Sequence, residues 1–441
     1  MNEPATAMPI RLNDDGARPL ARVWPALTFV AIYWAFRLVL PWLQLPIYAG
    51  FFSIVGAAAL LVLLFFAWWL FNGRVKWRDR LLALVLVVIG ACVAQALSDP
   101  SIGWFSVLII GLPVIVSLWS LWFLIARRRS ATIQRLGLLA ILGLVWGPMT
   151  LVRNDGVDGS QRSAIHGRWS PKAEDLFLAA RSKATGNSGP AGPAKGDEKA
   201  PLKLAAGDWP GFRGPQRDGT LTGVQFATDW EATPPKLLWR QRVGPGWSSF
   251  AVIGDRLFTQ EQRGDVEAVV CLQADNGSEI WSHQDKARFW DMVAGAGPRA
   301  TPTFDAGRIF ALGATGILNS FDAATGRLHW SRNIVDDSGA PLPMWGFSSS
   351  PLLVDGVVIV YAGGAGSKGL LAYRADSGEL AWTAAVGPIS YSSPQLLNVG
   401  GEAQVLLLSD TGLRAVRPAT GETSWEYTAS APNIWRAVQP R

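Results

Sequence analysis

The chain is 441 residues long and 49% hydrophobic, with 22 Trp, 46 Gly and a formal net charge of +6. That length leaves room for two or three domains. It has only 2 cysteines and no CxxC, CxxCH or lipobox, which excludes a disulfide framework, a covalently attached haem and a lipoprotein anchor.

Residues 1–22 form a tail ahead of the first apolar run. Five apolar runs then fill residues 23–152: Val23–Leu43, Ile47–Phe71, Leu81–Leu97, Trp104–Ala126 and Leu136–Val152. Each matches the roughly 17–25 helical residues that cross a bilayer core, so they read as a five-helix transmembrane anchor. Orientation follows from the basic residues, which collect on the cytoplasmic side. Arg11, Arg18 and Arg22 stand in the tail, Arg74, Lys76, Arg78 and Arg80 in the second loop, and Arg127, Arg128, Arg129 and Arg135 in the fourth. The first and third loops carry none. The tail is therefore expected in the cytoplasm, with everything after residue 152 in the periplasm of a bacterial inner membrane. The positive net charge is then a topology signal, and nucleic acid drops out as a partner. Arg37, near the end of the first run, reads as snorkelling to the outer interface.

Residues 153–206 make a periplasmic linker rich in Gly, Pro and Ser. Within it, "SPKAEDLFLAARSK" offers Ser170 as an N-cap and Pro171 at the first helical position, which predicts a short helix lying on the membrane or on the next domain. "NDGVDG" (154–159) reads as a plain loop.

From residue 207 onward a ten-residue phrase recurs as "LQADNGSEIW", "FDAATGRLHW", "YRADSGELAW" and "VRPATGETSW", ending at Trp281, Trp330, Trp382 and Trp425. The steps of 49, 52 and 43 residues signal stacked supersecondary units. Gly277, Gly326, Gly378 and Gly421 each stand four residues before the Trp in tight-turn sequences, so the phrase is strand, turn, strand. Ahead of each phrase comes a second motif, "WSSFAVIGD", "RATPTFDAG", "SSSPLLVDG" or "YSSPQLLNVGG", leading into apolar runs that read as further strands. Four short strands per unit of roughly 48 residues is the content of one propeller blade.

The pattern [AP]-[DA]-[TSN]-G-x-x-x-W resembles the tryptophan-docking repeat of quinoprotein (PQQ-type) β-propellers over residues 207–441. The resemblance implies that the indoles of Trp281, Trp330, Trp382 and Trp425 fasten each blade to the next. The segment "GDWPGFRGPQRDGTLTG" (207–223) is similar to the opening of quinoprotein dehydrogenase propellers, and the five spans resemble the anchor of membrane-bound quinoprotein glucose dehydrogenase. Together these imply an enzyme that oxidises an alcohol or sugar with PQQ and calcium and passes electrons to ubiquinone. Pro440 aligns with Pro302, Pro351 and Pro394, so a fifth blade begins where the sequence stops and a C-terminal truncation is expected. The expected fold is therefore a membrane α-helical anchor plus an all-β propeller of four blades and the start of a fifth.

In such an enzyme the residues entering each innermost strand face the channel. Arg299 and Arg436 are then candidate clamps on the quinone carboxylates, Trp247 or Trp435 a candidate aromatic floor under its ring, and Tyr391 a further cofactor-binding candidate lining the channel. No catalytic base or calcium ligand is identified. The alternative for the same residues is a channel lining with no cofactor, in a non-catalytic propeller that binds envelope proteins, similar to the outer-membrane assembly propeller BamB.

Overall fold

The computed structural model describes residues 23–157, 162–185, 202–429 and 436–440, and Trp435 lies outside them. The chain forms two compact units, one of Met1–Asp155 with Gly159–Ser170 and one of Gly156–Asp158 with Pro171–Arg441.

The first unit contains α1 (Trp24–Val39), α2 (Ile47–Phe71), α3 (Trp77–Leu97), α4 (Leu112–Ala126) and α5 (Ala131–Thr150). With its flanking turn where one is present, each is long and apolar enough to cross a membrane. Leu63, Val88 and Ile125 point outward, as side chains facing lipid do, while aromatic rings fill the interior. Trp69 meets Trp119 at 4.5 Å between ring centroids and Phe123 at 5.3 Å. A π-helical turn, Ser106–Gly111, leads into α4. Pro113 offers no N–H to the carbonyls of that turn. The buried Trp146 of α5 packs its indole against Gly111 and donates Nε1–H to Val107 O at 3.1 Å. A hairpin, β1 (Val152–Val157) and β2 (Ser163–Gly167), follows, so Asn154–Val157 lie in a strand and not in the expected loop.

In the second unit α6 (Ala173–Thr185) precedes four antiparallel four-stranded sheets. Blade 1 is β3 (Ala251–Ile253), β4 (Arg256–Arg263), β5 (Val266–Gln273) and β6 (Glu279–Asp285). A small hairpin, β7 (Trp290–Asp291) and β8 (Gly295–Ala296), leads to blade 2: β9 (Thr303–Asp305), β10 (Arg308–Leu312), β11 (Ile317–Asp322) and β12 (Leu328–Asn333). After the short helix α7 (Ile334–Ser338) comes blade 3: β13 (Leu352–Val354), β14 (Val357–Tyr361), β15 (Leu370–Arg374) and β16 (Leu380–Ala384). Blade 4 is β17 (Gln395–Val399), β18 (Glu402–Ser409), β19 (Gly412–Val416) and β20 (Thr423–Thr428). In each blade the strands pair in sequence order, and the first strands of successive blades approach one another, which makes them the inner strands of a radial array. Apolar side chains from facing sheets meet between blades. Phe258, Cys271 and Trp281 of blade 1 pack with Ile309 and Phe321 of blade 2, and the next two seams repeat the pattern.

The helix expected in the linker lies on blade 1. Arg181 pairs with Glu279, and Glu174 accepts from Gly264 N and from Arg288 at 2.9 Å each.

Candidate functional site

The repeated phrase makes the same contact at each seam. The turn glycines Gly277, Gly326, Gly378 and Gly421 hold φ between 72° and 74°, a left-handed conformation that disfavours any side chain. Their bare Cα faces receive an indole. Trp281 covers Gly326, Trp330 covers Gly378 and Trp382 covers Gly421; a Cβ on Gly326 would stand 2.5 Å from the Trp281 ring. Each indole N–H reaches a carbonyl of the next blade: Trp281 to Ala323 O (3.0 Å), Trp330 to Ala375 O (3.0 Å) and Trp382 to Pro418 O (2.9 Å). Trp239 makes the same contact ahead of blade 1, lying over Gly277 and donating to Ala274 O at 2.9 Å. Sequence reasoning missed it because Trp239 lacks the turn glycine of the phrase, although it precedes Trp281 by about one blade period. Trp425 donates instead to Gln404 Oε1 of its own blade at 2.7 Å.

The Ser- and Pro-rich motifs stitch the inner strands. Ser249 N donates to Thr301 Oγ1 (3.2 Å), Thr301 N to Ser350 Oγ (3.0 Å) and Ser350 N to Ser393 Oγ (2.9 Å), one hydroxyl per seam. Against the axial edges of the same strands runs the "DWPGFRGPQRDG" segment. Trp209 exchanges both backbone hydrogen bonds with Val252 in blade 1, and Pro210 O accepts from Phe304 N in blade 2. Arg217 donates to Ser350 O and Pro351 O in blade 3, and Gln395 of blade 4 donates to Gln216 O. Burial pushes the Arg217 guanidinium down to about 10, which leaves it charged at neutral pH. This segment is a strap across all four blades.

Arg299 and Tyr391 stand two positions before the stitching hydroxyls of Thr301 and Ser393, and Trp247 stands two before Ser249, whose N–H makes the first stitch. Trp247 is exposed, and its Nε1 donates to Ala294 O at 2.7 Å. Arg299 is buried. Its guanidinium lies 5.2 Å over the Phe289 ring and donates to Asp291 Oδ2 (2.6 Å) and Gly295 O (2.8 Å). The Tyr391 ring lies tilted against Trp345, 5.2 Å between centroids, and its hydroxyl accepts the Trp345 backbone N–H at 3.3 Å. Tyr391 N donates to Arg436 O at 2.7 Å, and Ser392 Oγ to Val438 O at 2.8 Å, so residues 436–440 run beside blade 4. The buried Arg436 Nε has no hydrogen-bond partner.

A further ionisable group sits in the seam between blades 1 and 2. Glu267 Oε2 accepts from Ala314 N at 3.1 Å, and Asp285 stands opposite in the strand register. Burial, reinforced by the Asp285 charge, pushes the Glu267 carboxyl up to about 7. Asp285 in turn accepts from Asn319 Nδ2 at 2.6 Å.

The repeat and this fold agree with the family comparison: residues 228–342 and 268–440 match the family described as outer membrane protein assembly factor BamB. The C-terminal region belongs to the PQQ-like β-propeller family. The curated relatives of this propeller include two quinohemoprotein alcohol dehydrogenases of Pseudomonas putida. ADH-IIG is 27% identical, covering 39% of this chain and 24% of the relative, and ADH IIB is 25% identical, covering 38% and 31%. The chain thus spans about a quarter to a third of the length of those relatives. Among solved structures, the quinohemoprotein alcohol dehydrogenase of Comamonas testosteroni covers 58% of this chain and 45% of its own at 14% identity, with a TM-score of 0.38. BamB of Moraxella catarrhalis covers 40% and 47% at 20% identity, with a TM-score of 0.29.

PQQ held with calcium needs free cations for its carboxylates and a set of oxygen ligands for the metal. Among the candidate cations, Arg299 is taken up by the fold and Arg436 keeps an unpartnered Nε. Arg299 is committed to Asp291, and among the described residues no three His, Cys, Asp or Glu converge on a metal position.

Proposed function

We propose that the protein is a membrane-anchored propeller that serves as a binding platform in the bacterial envelope, with the tail in the cytoplasm and the blades in the periplasm, presented to an envelope protein. The observation that supports this reading is the use of the expected cofactor groups by the fold itself. Asp291 holds the Arg299 guanidinium, Trp345 the Tyr391 hydroxyl, and the seam hydroxyls bond the next blade. The absence of positive charge from the first and third loops supports the orientation. To test the reading, PQQ and calcium are added to the purified full-length protein. The expected result is no quinone absorbance, no thermal shift and no dye reduction with alcohols or sugars, together with discrete photo-crosslinked adducts from blade-surface positions in cells.

The unpartnered Nε of Arg436 beside Tyr391 favours a second reading. In it the chain is a quinoprotein dehydrogenase passing electrons to membrane ubiquinone, and Arg436 meets a quinone carboxylate. Saturable PQQ binding that Arg436→Gln weakens would establish this reading and overturn the first.

A further inference from the structure

The hairpin β7–β8 carries an apolar tip that a set of hydrogen bonds turns outward. Asp291, itself buried, accepts at Oδ1 from Val293 N (2.8 Å) and Ala294 N (2.7 Å), and at Oδ2 from Arg299. Arg299 bridges back to Gly295 O, Gly297 N donates to Phe289 O, and Trp247 Nε1 closes on Ala294 O. The polar groups of the turn are thus satisfied inward. Four large apolar side chains face out: Trp247 is 54% exposed, Trp290 47%, Met292 42% and Val293 48%. An apolar cluster held out in this way marks an interaction surface.

The chain itself indicates what covers this surface. Val157, seven residues beyond the end of α5, donates its N–H to Val293 O at 2.9 Å. The tip is therefore gripped by the stretch of chain that has just left the last membrane-capable helix. The tip presents two indoles and no free charge, the composition that settles at the headgroup level of a bilayer.

We propose that the β7–β8 hairpin with Trp247 is a membrane foot, seated in the interfacial layer of the same bilayer that the five helices cross. Arg299 and Asp291 act in it as positioning residues that set the tip geometry. This inference goes beyond the binding role proposed above and stands whether or not that role holds.

The test uses the full chain in nanodiscs of phosphatidylethanolamine and phosphatidylglycerol. Cys92, the exposed cysteine, is replaced by Ala, while Cys271 is buried and unreactive to label. A nitroxide is attached at Met292→Cys, and a control label at Glu402→Cys on the exposed edge of blade 4. Relative to the control, position 292 is expected to gain accessibility to oxygen and lose accessibility to a water-soluble nickel chelate, each several-fold, and to relax faster when the lipids carry nickel headgroups. Equal accessibility at 292 and 402 would overturn the proposal. Protection of 292 with spin–spin broadening only in discs holding two copies would also overturn it, in favour of self-association. Both substituted side chains point outward, so folding is not at stake.

Discussion

The seam between blades 1 and 2 and the outer flank of blade 4 carry the same ten-residue phrase and use it differently. At the seam Trp281 is wholly buried, covers Gly326 and donates to Ala323 O. On the flank Trp425 is half-buried and turns to Gln404 of its own blade. The phrase determines a turn and an indole, but the fastening exists only where a neighbouring blade supplies a bare glycine and a free carbonyl. Trp239 shows the converse, because it docks in full without belonging to the phrase.

The largest effect should come from the indoles. Trp281→Ala is expected to cost about 3–5 kcal/mol of propeller stability and Trp425→Ala about 1 kcal/mol or less, measured by denaturant unfolding of the full chain. Equal losses would remove the distinction between seam and flank. The glycines come next. Gly326→Ala forces a Cβ into the Trp281 ring at 2.5 Å as well as straining φ, whereas Gly356→Ala, at φ 76°, meets nothing within 4 Å. The first is expected to cost about 2–3 kcal/mol and the second about 1 kcal/mol, so comparing their midpoints separates docking from backbone strain.

The smallest effect concerns the charge in the seam. Glu267 titrates near 7 in the folded protein, against 4.5 as its ordinary value. The folded state therefore binds the extra proton, and its stability falls as pH rises from about 4.5 through 7, with the full penalty present above 7. Glu267→Gln keeps the acceptor for Ala314 N and removes the charge. It should stabilise the propeller by on the order of 1 kcal/mol at pH 8, read as a raised melting temperature, and leave it nearly unchanged at pH 4. A stabilisation independent of pH would show that the carboxyl is not the titrating group.

The period of the tryptophans was enough to number the blades, because a docked indole needs one Trp and one turn glycine at fixed separation and both are visible as letters. The five helices were equally legible, since length and apolarity alone decide whether a helix crosses a bilayer. The candidate ligand residues were legible in position but not in role. Arg299 does enter an inner strand, yet nothing in "GPRATP" shows that Asp291, eight residues earlier, turns back to hold it. The "DWPGFRGPQRDG" segment read as an opening motif, and its course across four blades depends on partners up to 179 residues away.

By itself, then, the sequence determined the repeat, its turns and the apolar helices, all set by interactions within a few residues or by composition along one element. The tertiary structure alone decided which indoles fasten and which do not, that the hydroxyls stitch seams, that the strap lies along the inner edges, and that an apolar hairpin is held outward. Each of these depends on which distant donor or bare backbone surface comes opposite a given side chain, and the geometry of packed sheets sets that.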